Sequence, residues 1–259
     1  QFSNPVTVEN IVGRVMGGNA SIIDGLLAVD GNANLYLLNP SGIFLGENTQ
    51  LNLGGSFSAS TATGLTFGNE LLDTLGSNDY SQLAGDPTGY VFGTETGAIV
   101  NAGDLAVTPG QSLTLLGGQV INTGQLAASG GEVLVMAVPG ENRVRLSQDG
   151  SLLGLELETL PDTAPTAAFT PTTVPALLTG AGALGMATDI TVNPDGTDSL
   201  SGSSLQIPTD PGTDIVSGQL EADSGNIGIL GEQIALVAAD VDASGDAGGG
   251  TILIGGDEL

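Results

Sequence analysis

Gly97-Ala98-Ile99-Val100-Asn101-Ala102-Gly103-Asp104-Leu105 returns as Gly118-Gln119-Val120-Ile121-Asn122-Thr123-Gly124-Gln125-Leu126, with 97 becoming 118, an offset of 21 residues. Apolar positions, the Asn and both corner glycines recur in register. Nearer the C-terminal end, Leu220-Glu221-Ala222 and Val241-Asp242-Ala243 repeat the same 21-residue step, 220 becoming 241. Beyond that pair, Gly225-Asn226-Ile227-Gly228-Ile229 corresponds to Gly250-Thr251-Ile252-Leu253-Ile254, four residues further on than the step requires. A loop that lengthens while its strands keep their pattern is how the coils of a solenoid vary.

The strand-like pieces inside each repeat are short: Leu113 to Leu116, Glu132 to Val138, Ile227 to Leu230, Ile234 to Ala238 and Thr251 to Ile254. Three such pieces with their corners fill a coil of this size at about 3.3 Å per residue. Stacked coils then pair in parallel about 4.8 Å apart, which sets Ile227 and Ile229 in apolar columns with Ile252 and Ile254. A propeller blade needs a period nearer 40 residues and antiparallel hairpins, and a leucine-rich repeat needs Leu/Asn spacing with a helical segment. The expected fold is therefore all-β, a right-handed single-stranded parallel β-helix (solenoid) with extra loops or short capping elements.

One such domain is expected over residues 1–259: N-terminal coils over 1–67, an insertion over 68–96, coils over 97–156, an excursion over 157–188 and C-terminal coils over 189–259. Within the insertion, Glu70-Leu71-Leu72-Asp73-Thr74-Leu75 reads as one short helix. Pro161, Pro165, Pro171 and Pro175, with Thr and Ala between them, read as an extended departure from the rod. Leu259 follows Gly255-Gly256-Asp257-Glu258 without a visible cap, so the sequence reads as a fragment of a longer chain.

Composition narrows the function. At 40% hydrophobic, 259 residues suffice for one continuous core, while 42 Gly and 3% aromatics suit tight corners and a narrow shaft. The net charge of -26, from 29 acids against three Arg, excludes nucleic acid as a partner and disfavours an anionic membrane surface. It suits solubility of a long rod, or divalent cations outside the cell. With no Cys there are neither disulfides nor thiolate metal sites. No apolar run reaches about 18 residues, and Gln1-Phe2-Ser3-Asn4 begins no signal peptide.

Catalysis has little to work with. His is absent, which removes nucleophile–imidazole arrangements and imidazole metal sites. Arg14, Arg143 and Arg145 are the only strong cations; Arg143 and Arg145 flank Val144 on one strand face and suit a local ion pair. Paired carboxylates hydrolyse glycosides at suitable separations, but acids are too numerous here for a pair to be diagnostic. Three Tyr, six Phe and no Trp scarcely furnish sugar platforms. Asn193-Pro194-Asp195-Gly196-Thr197-Asp198 lacks EF-hand spacing and its terminal Glu. The Gly-rich tail lacks the calcium β-roll nonapeptide. No catalytic residue, designed metal site or cofactor is expected, and calcium is at most adventitious. Asn101 and Asn122, one coil apart, suit a hydrogen-bonded Asn ladder inside the rod or at its corner.

Ala33-Asn34-Leu35-Tyr36-Leu37-Leu38-Asn39-Pro40-Ser41-Gly42-Ile43, followed by Leu53-Gly54-Gly55-Ser56-Phe57-Ser58-Ala59-Ser60-Thr61-Ala62, resembles the N-terminal secretion domain of filamentous haemagglutinin-type exoproteins. That domain is also called the haemagglutination activity domain. Val8 to Val15, Asn19 to Gly25 and the tail from Val241 to Asp257 resemble it as well, in particular its cyanobacterial versions. Asn39-Pro40-Ser41-Gly42-Ile43 stands where the family has Asn-Pro-Asn-Gly-Ile; Ser41 replaces the middle Asn and also fits a turn. The family's earlier Asn-Pro-Asn-Leu motif has no clear counterpart, Asn4-Pro5-Val6 being a poor substitute.

The resemblance implies two-partner secretion across a Gram-negative outer membrane, with recognition by a transporter barrel carrying POTRA domains. It implies a secreted or cell-surface protein, commonly an adhesin for a surface receptor or glycan. The alternatives are a filament or matrix protein self-associating without a receptor and, less favoured, a carbohydrate-active β-helix. Asn39-Pro40-Ser41-Gly42 is on propensity a β-turn, Pro presetting its φ and Gly accepting a positive one. Shaping the coils and touching the transporter are compatible roles for it.

Overall fold

The computed structural model of the chain describes residues 1–5, 7–146, 210–246 and 248–255, with the backbone of four short strands at 156–159, 190–192, 197–200 and 206–208. Among the described residues every regular element is a strand. The rod has three parallel faces, each visited once per coil. The first is a seven-stranded sheet of Asn10–Arg14, Asn34–Leu38, Phe57–Ser60, Ser112–Gly117, Glu132–Ala137, Asn226–Leu230 and Thr251–Gly255. The second has six strands: Ser21–Ile23, Ile43–Leu45, Ala98–Asn101, Gln119–Asn122, Thr213–Val216 and Gln233–Leu236. The third is formed by Leu26–Ala28 with Gln50–Asn52, and by Asp104–Ala106, Gln125–Ala127, Gln219–Glu221 and Asp240–Asp242. The chain forms a parallel β-helix.

Register follows the repeats. Ile99 pairs with Val120 and Asn101 with Asn122, while Ile227 and Ile229 pair with Ile252 and Ile254. Inward side chains such as Leu35, Phe57, Leu113, Val133 and Ile227 form one aliphatic core with Ile43, Ile99 and Val120. Full burial of each such side chain contributes about 2 kcal/mol. The spans expected at 113–116, 132–138 and 251–254 are the strands Ser112–Gly117, Glu132–Ala137 and Thr251–Gly255.

The chain leaves the rod twice at one corner, the passage from the first face to the second. The first departure follows Phe57–Ser60 and returns at Ala98–Asn101; the second follows Glu132–Ala137 and returns at Thr213–Val216. Strands from both departures join in one five-stranded antiparallel sheet, ordered Glu156–Thr159, Asn142–Arg145, Gly89–Val91, Gly64–Phe67 and Glu70–Asp73. This flap covers the outer side of the first face. Leu65, Tyr90, Phe92 and Val144 pack with Leu38, Leu116, Leu134 and Met136 in a second core. Where the flap covers it the first face is buried on both sides, which explains the unbroken apolar run Val133 to Val138. Tyr90 reaches through the flap to Ser58, hydroxyl to hydroxyl at 2.6 Å. Burial pushes the Tyr90 phenol up, helped by Tyr36 and opposed by the Ser58 bond.

Three expectations are corrected. Glu70 to Leu75 is not a helix: Glu70–Asp73 is a strand in a hairpin with Gly64–Phe67, in which Phe67 pairs with Glu70. The intervening pair is Gly68-Asn69, and Gly68 has φ 61°, as a two-residue hairpin demands of its first residue. Both insertions begin earlier than assigned: the one given to 68–96 starts with Gly64–Phe67, and the coils given to 97–156 end at Ala137, because Gly64–Phe67 and Asn142–Arg145 belong to the flap and not to a coil. Residues 190–208, assigned to C-terminal coils, instead hold a three-stranded antiparallel sheet of Ile190–Val192, Thr197–Leu200 and Gln206–Pro208. The coils resume at Thr213. The Pro-rich stretch over 160–188 and the Asn193–Gly196 part of the acidic loop lie outside the described residues.

Candidate secretion motif at a buried corner

Asn39 to Gly42 carry the chain from Asn34–Leu38 into Ile43–Leu45, the corner at which later coils open into the flap. Gly42 N–H donates to the Asn39 carbonyl at 3.0 Å, and Ser41 N–H donates to Asn39 Oδ1 at 3.0 Å. Gly42 has φ 124°, a value that favours Gly. The Asn39 amide reaches the previous coil, Nδ2 donating to the Asn19 carbonyl at 3.0 Å and to Ser21 Oγ at 2.8 Å. Asn39 N–H donates to Ser60 of the next coil, and Ser21 N–H to the Gly42 carbonyl. Gly97 lies against the turn, where a β-carbon would collide with the Pro40 carbonyl oxygen and stand 2.8 Å from Gly42 N.

All five residues from Asn39 to Ile43 are buried, Asn39 and Ile43 without exposed surface. Ile43 lies in the inward column between Ser21 and Ile99. Ser41 Oγ is the one polar side-chain atom of the motif buried without a partner. The corner stack continues along the rod, with Gly118 N–H donating to Gly97, Gly212 to Gly118 and Gln233 to Gly212.

A family model of the TPS secretion domain matches residues 1–170 of the 259. The chain belongs to the TPS secretion domain family. It is thus an exoprotein of the two-partner secretion type, exported across the outer membrane with a transporter as partner. No curated protein matches the chain.

In this TPS secretion domain the other residues singled out by sequence lie apart from the motif. Asn101 Nδ2 donates to Asn122 Oδ1 at 2.8 Å and to the Gly103 carbonyl at 3.0 Å; Gly103 N–H returns to Asn101 Oδ1. Asn122 Nδ2 donates to the Gly124 carbonyl at 3.0 Å. Both amides are fully buried and sit in register between Leu45 and Val216, where the second face turns to the third. They give the corner carbonyls of Gly103 and Gly124 a second donor beside the Gln125 and Gln219 N–H groups of the next coil.

Arg143 and Arg145 belong to the flap, on the strand Asn142–Arg145, opposite Glu158 and Glu156 in backbone register. Arg14 ties the flap to the first coil. Its Nη1 donates to the carbonyls of Asp73 and Gly76, both at 2.8 Å, and its Nη2 to the Tyr80 hydroxyl at 2.6 Å. It borders a cleft of about 440 Å³ with Glu9, Asn10, Phe67 and Tyr80, but these bonds turn both Nη1 hydrogens and one of Nη2 to the protein. Among the described residues no three acidic side chains converge as a metal site would require. Sequence reasoning missed Arg14 as a tether because its acceptors, two backbone carbonyls and the Tyr80 hydroxyl, lie about 60 residues away, which no local pattern announces.

Proposed function

We propose that the partner transporter, through POTRA domains, reads Asn39 to Ile43 in the chain before it folds, and that the folded rod then serves at the cell surface as a non-enzymatic adhesin. The observation that carries the first half is burial. Once the corner closes, Asn39 has spent its amide on Asn19, Ser21 and Ser41, and neither Asn39 nor Ile43 presents any surface. A transporter meeting the folded rod would find nothing of the motif except by unfolding several coils. Met as extended chain, the same segment offers its amide, its turn propensity and Ile43 together.

Folding outside the cell then follows coil by coil. Each closed coil presents paired edges and an apolar column to the next, so closure draws in more chain without an added energy source. The adhesin half rests on family membership and on the absence of His, Cys and Lys, which leaves few chemical groups for turnover.

The test compares binding of the transporter's periplasmic region to the unfolded and the folded domain. Chain freshly diluted from urea should bind and the refolded rod should not. Equal binding by both would contradict the proposal. In cells, deleting Asn39 to Ile43 should strand the product in the periplasm, whereas Gly97→Val, which keeps the motif but obstructs its closure, should still be released in a protease-sensitive form. Beads coated with the purified rod should adhere to cells or glycans; electron micrographs showing indefinite fibres and no adhesion would favour the filament instead.

A further inference from the structure

Asp214 occupies a place in the rod that an aliphatic side chain should fill. Read across the second face, one inward column runs Ser21, Ile43, Ile99, Val120, Asp214, Ile234. Asp214 is 0% exposed, as are Ile43, Ile99 and Val120. Its Oδ2 accepts from Ala137 N–H at 3.2 Å, and its Oδ1 is buried without a partner. A β-carbon at Gly231 would stand 2.8 Å from the Gly212 carbonyl oxygen and 3.1 Å from Oδ2, so the facing corner leaves the carboxyl little room.

Among the described residues nothing cationic faces it. The strand Gln119–Asn122 presents Val120, and Gln233–Leu236 presents Ile234. Glu132–Ala137 presents Ala137, with Glu132 at its far end. The corner behind Gly231 carries Glu232, and the re-entry before Thr213 carries Asp210. The ionisable groups on these elements are therefore all acids, which oppose a second negative charge. Burying an unpaired carboxylate costs several kcal/mol more than burying the neutral acid. Burial accordingly raises the Asp214 carboxyl well above its ordinary value of 3.8, with the Ala137 bond opposing.

Its place in the chain gives the group leverage. Thr213–Val216 is the first coil strand after the second departure, and it pairs with Gln119–Asn122, 213 against 119. Among the described residues, strand pairing joins the coils of 210–255 to the preceding ones at three places, one per face. We infer that Asp214 is a proton-operated latch: the coils of 210–255 close on the preceding coils with this carboxyl neutral, and its ionisation loosens them. Closure from an ionised chain takes up one proton from solvent at Asp214. The raised folded value fixes the sign. The contribution is fully present below about 3.8, the unfolded value, and is lost as pH rises through the folded value, by up to tenfold in the closing equilibrium per pH unit.

Hydrogen exchange of the full chain across pH, corrected for intrinsic amide chemistry, tests the latch. In the wild type, amides of Thr213–Val216 and Gln233–Leu236 should lose protection with rising pH more steeply than those of Phe57–Ser60. Asp214→Asn should remove that excess slope, and Asp214→Val should remove it and raise protection. Glu132, which burial pushes up to about 6, contributes equally to wild type and variants and cancels in the comparison. An unchanged slope in both variants would overturn the inference. Should a variant fail to fold, the infrared carbonyl stretch of a protonated acid in the wild type at neutral pH supports it, and absence of that band overturns it.

Discussion

The corner at Asn39 to Ile43 and the corners after Ser60 and Ala137 occupy the same position in three coils of the rod, yet one is a four-residue turn and the others release long segments. Ile43–Leu45 nevertheless pairs with Ala98–Asn101, and Gln119–Asn122 with Thr213–Val216, as regularly as strands joined by tight turns. The geometry of the rod is therefore set by strand pairing and the aliphatic columns, not by the length of the connection. Loop closure makes this affordable, since doubling a flexible loop costs only about 0.6 kcal/mol. The tight corner differs in being buried by its neighbours, so its residues must satisfy one another. The open corners escape that constraint and use the freedom to cover the first face.

Substitutions that separate these two regimes should fall in a definite order. Gly97→Val places a side chain against Pro40 and Gly42 and should cost about 3 kcal/mol in urea unfolding. A cost below about 1 kcal/mol would mean that the turn is not held as tightly as its contacts indicate. Asn101→Ala removes a donor from the Gly103 carbonyl and the acceptor of Gly103 N–H, for about 2 kcal/mol. Tyr90→Phe loses the Ser58 bond alone, for about 1 kcal/mol. Its exchange effects should concentrate in the flap strands. Smallest of all, inserting four Gly between Gly93 and Thr94, in the loop returning from the flap, should cost less than about 1 kcal/mol. The same insertion between Pro40 and Ser41 should prevent the N-terminal coils from closing, with loss of their exchange protection.

What the sequence disclosed tracks what is local to a coil. The 21-residue step was legible because Asn101 and Asn122, with their flanking glycines, do the same work in adjacent coils and are constrained alike. The first coils advance differently, Asn10 pairing with Asn34 and Leu35 with Phe57, so no single step exposes them. The flap was not legible, because Gly64–Phe67, Gly89–Val91 and Asn142–Arg145 find partners by packing on a distant face. The helix expected at Glu70 to Leu75 failed because a Leu pair between acids suits either structure; Gly68-Asn69 was the local signal that decided for a hairpin. The motif itself reads as a β-turn, and only the stacking of Gly97 upon it reveals that the folded rod conceals it. Asp214 is hidden in the same way. In Thr213-Asp214-Ile215-Val216 the local pattern would turn Ile215 inward, whereas register with Val120 turns Asp214 there.

Coil stacking across the departures is tested most directly by cross-linking, since the chain has no Cys to interfere. Gln125→Cys with Gln219→Cys joins neighbours in register on the third face, although the second departure lies between them. A short bis-alkylating reagent should link this pair quantitatively in the folded protein and not in urea. Gln50→Cys with Gln219→Cys, three coils apart or about 14 Å by strand spacing, should remain unlinked. Failure of the first pair to link in the folded protein, or equal linking of both, would contradict a continuous parallel rod.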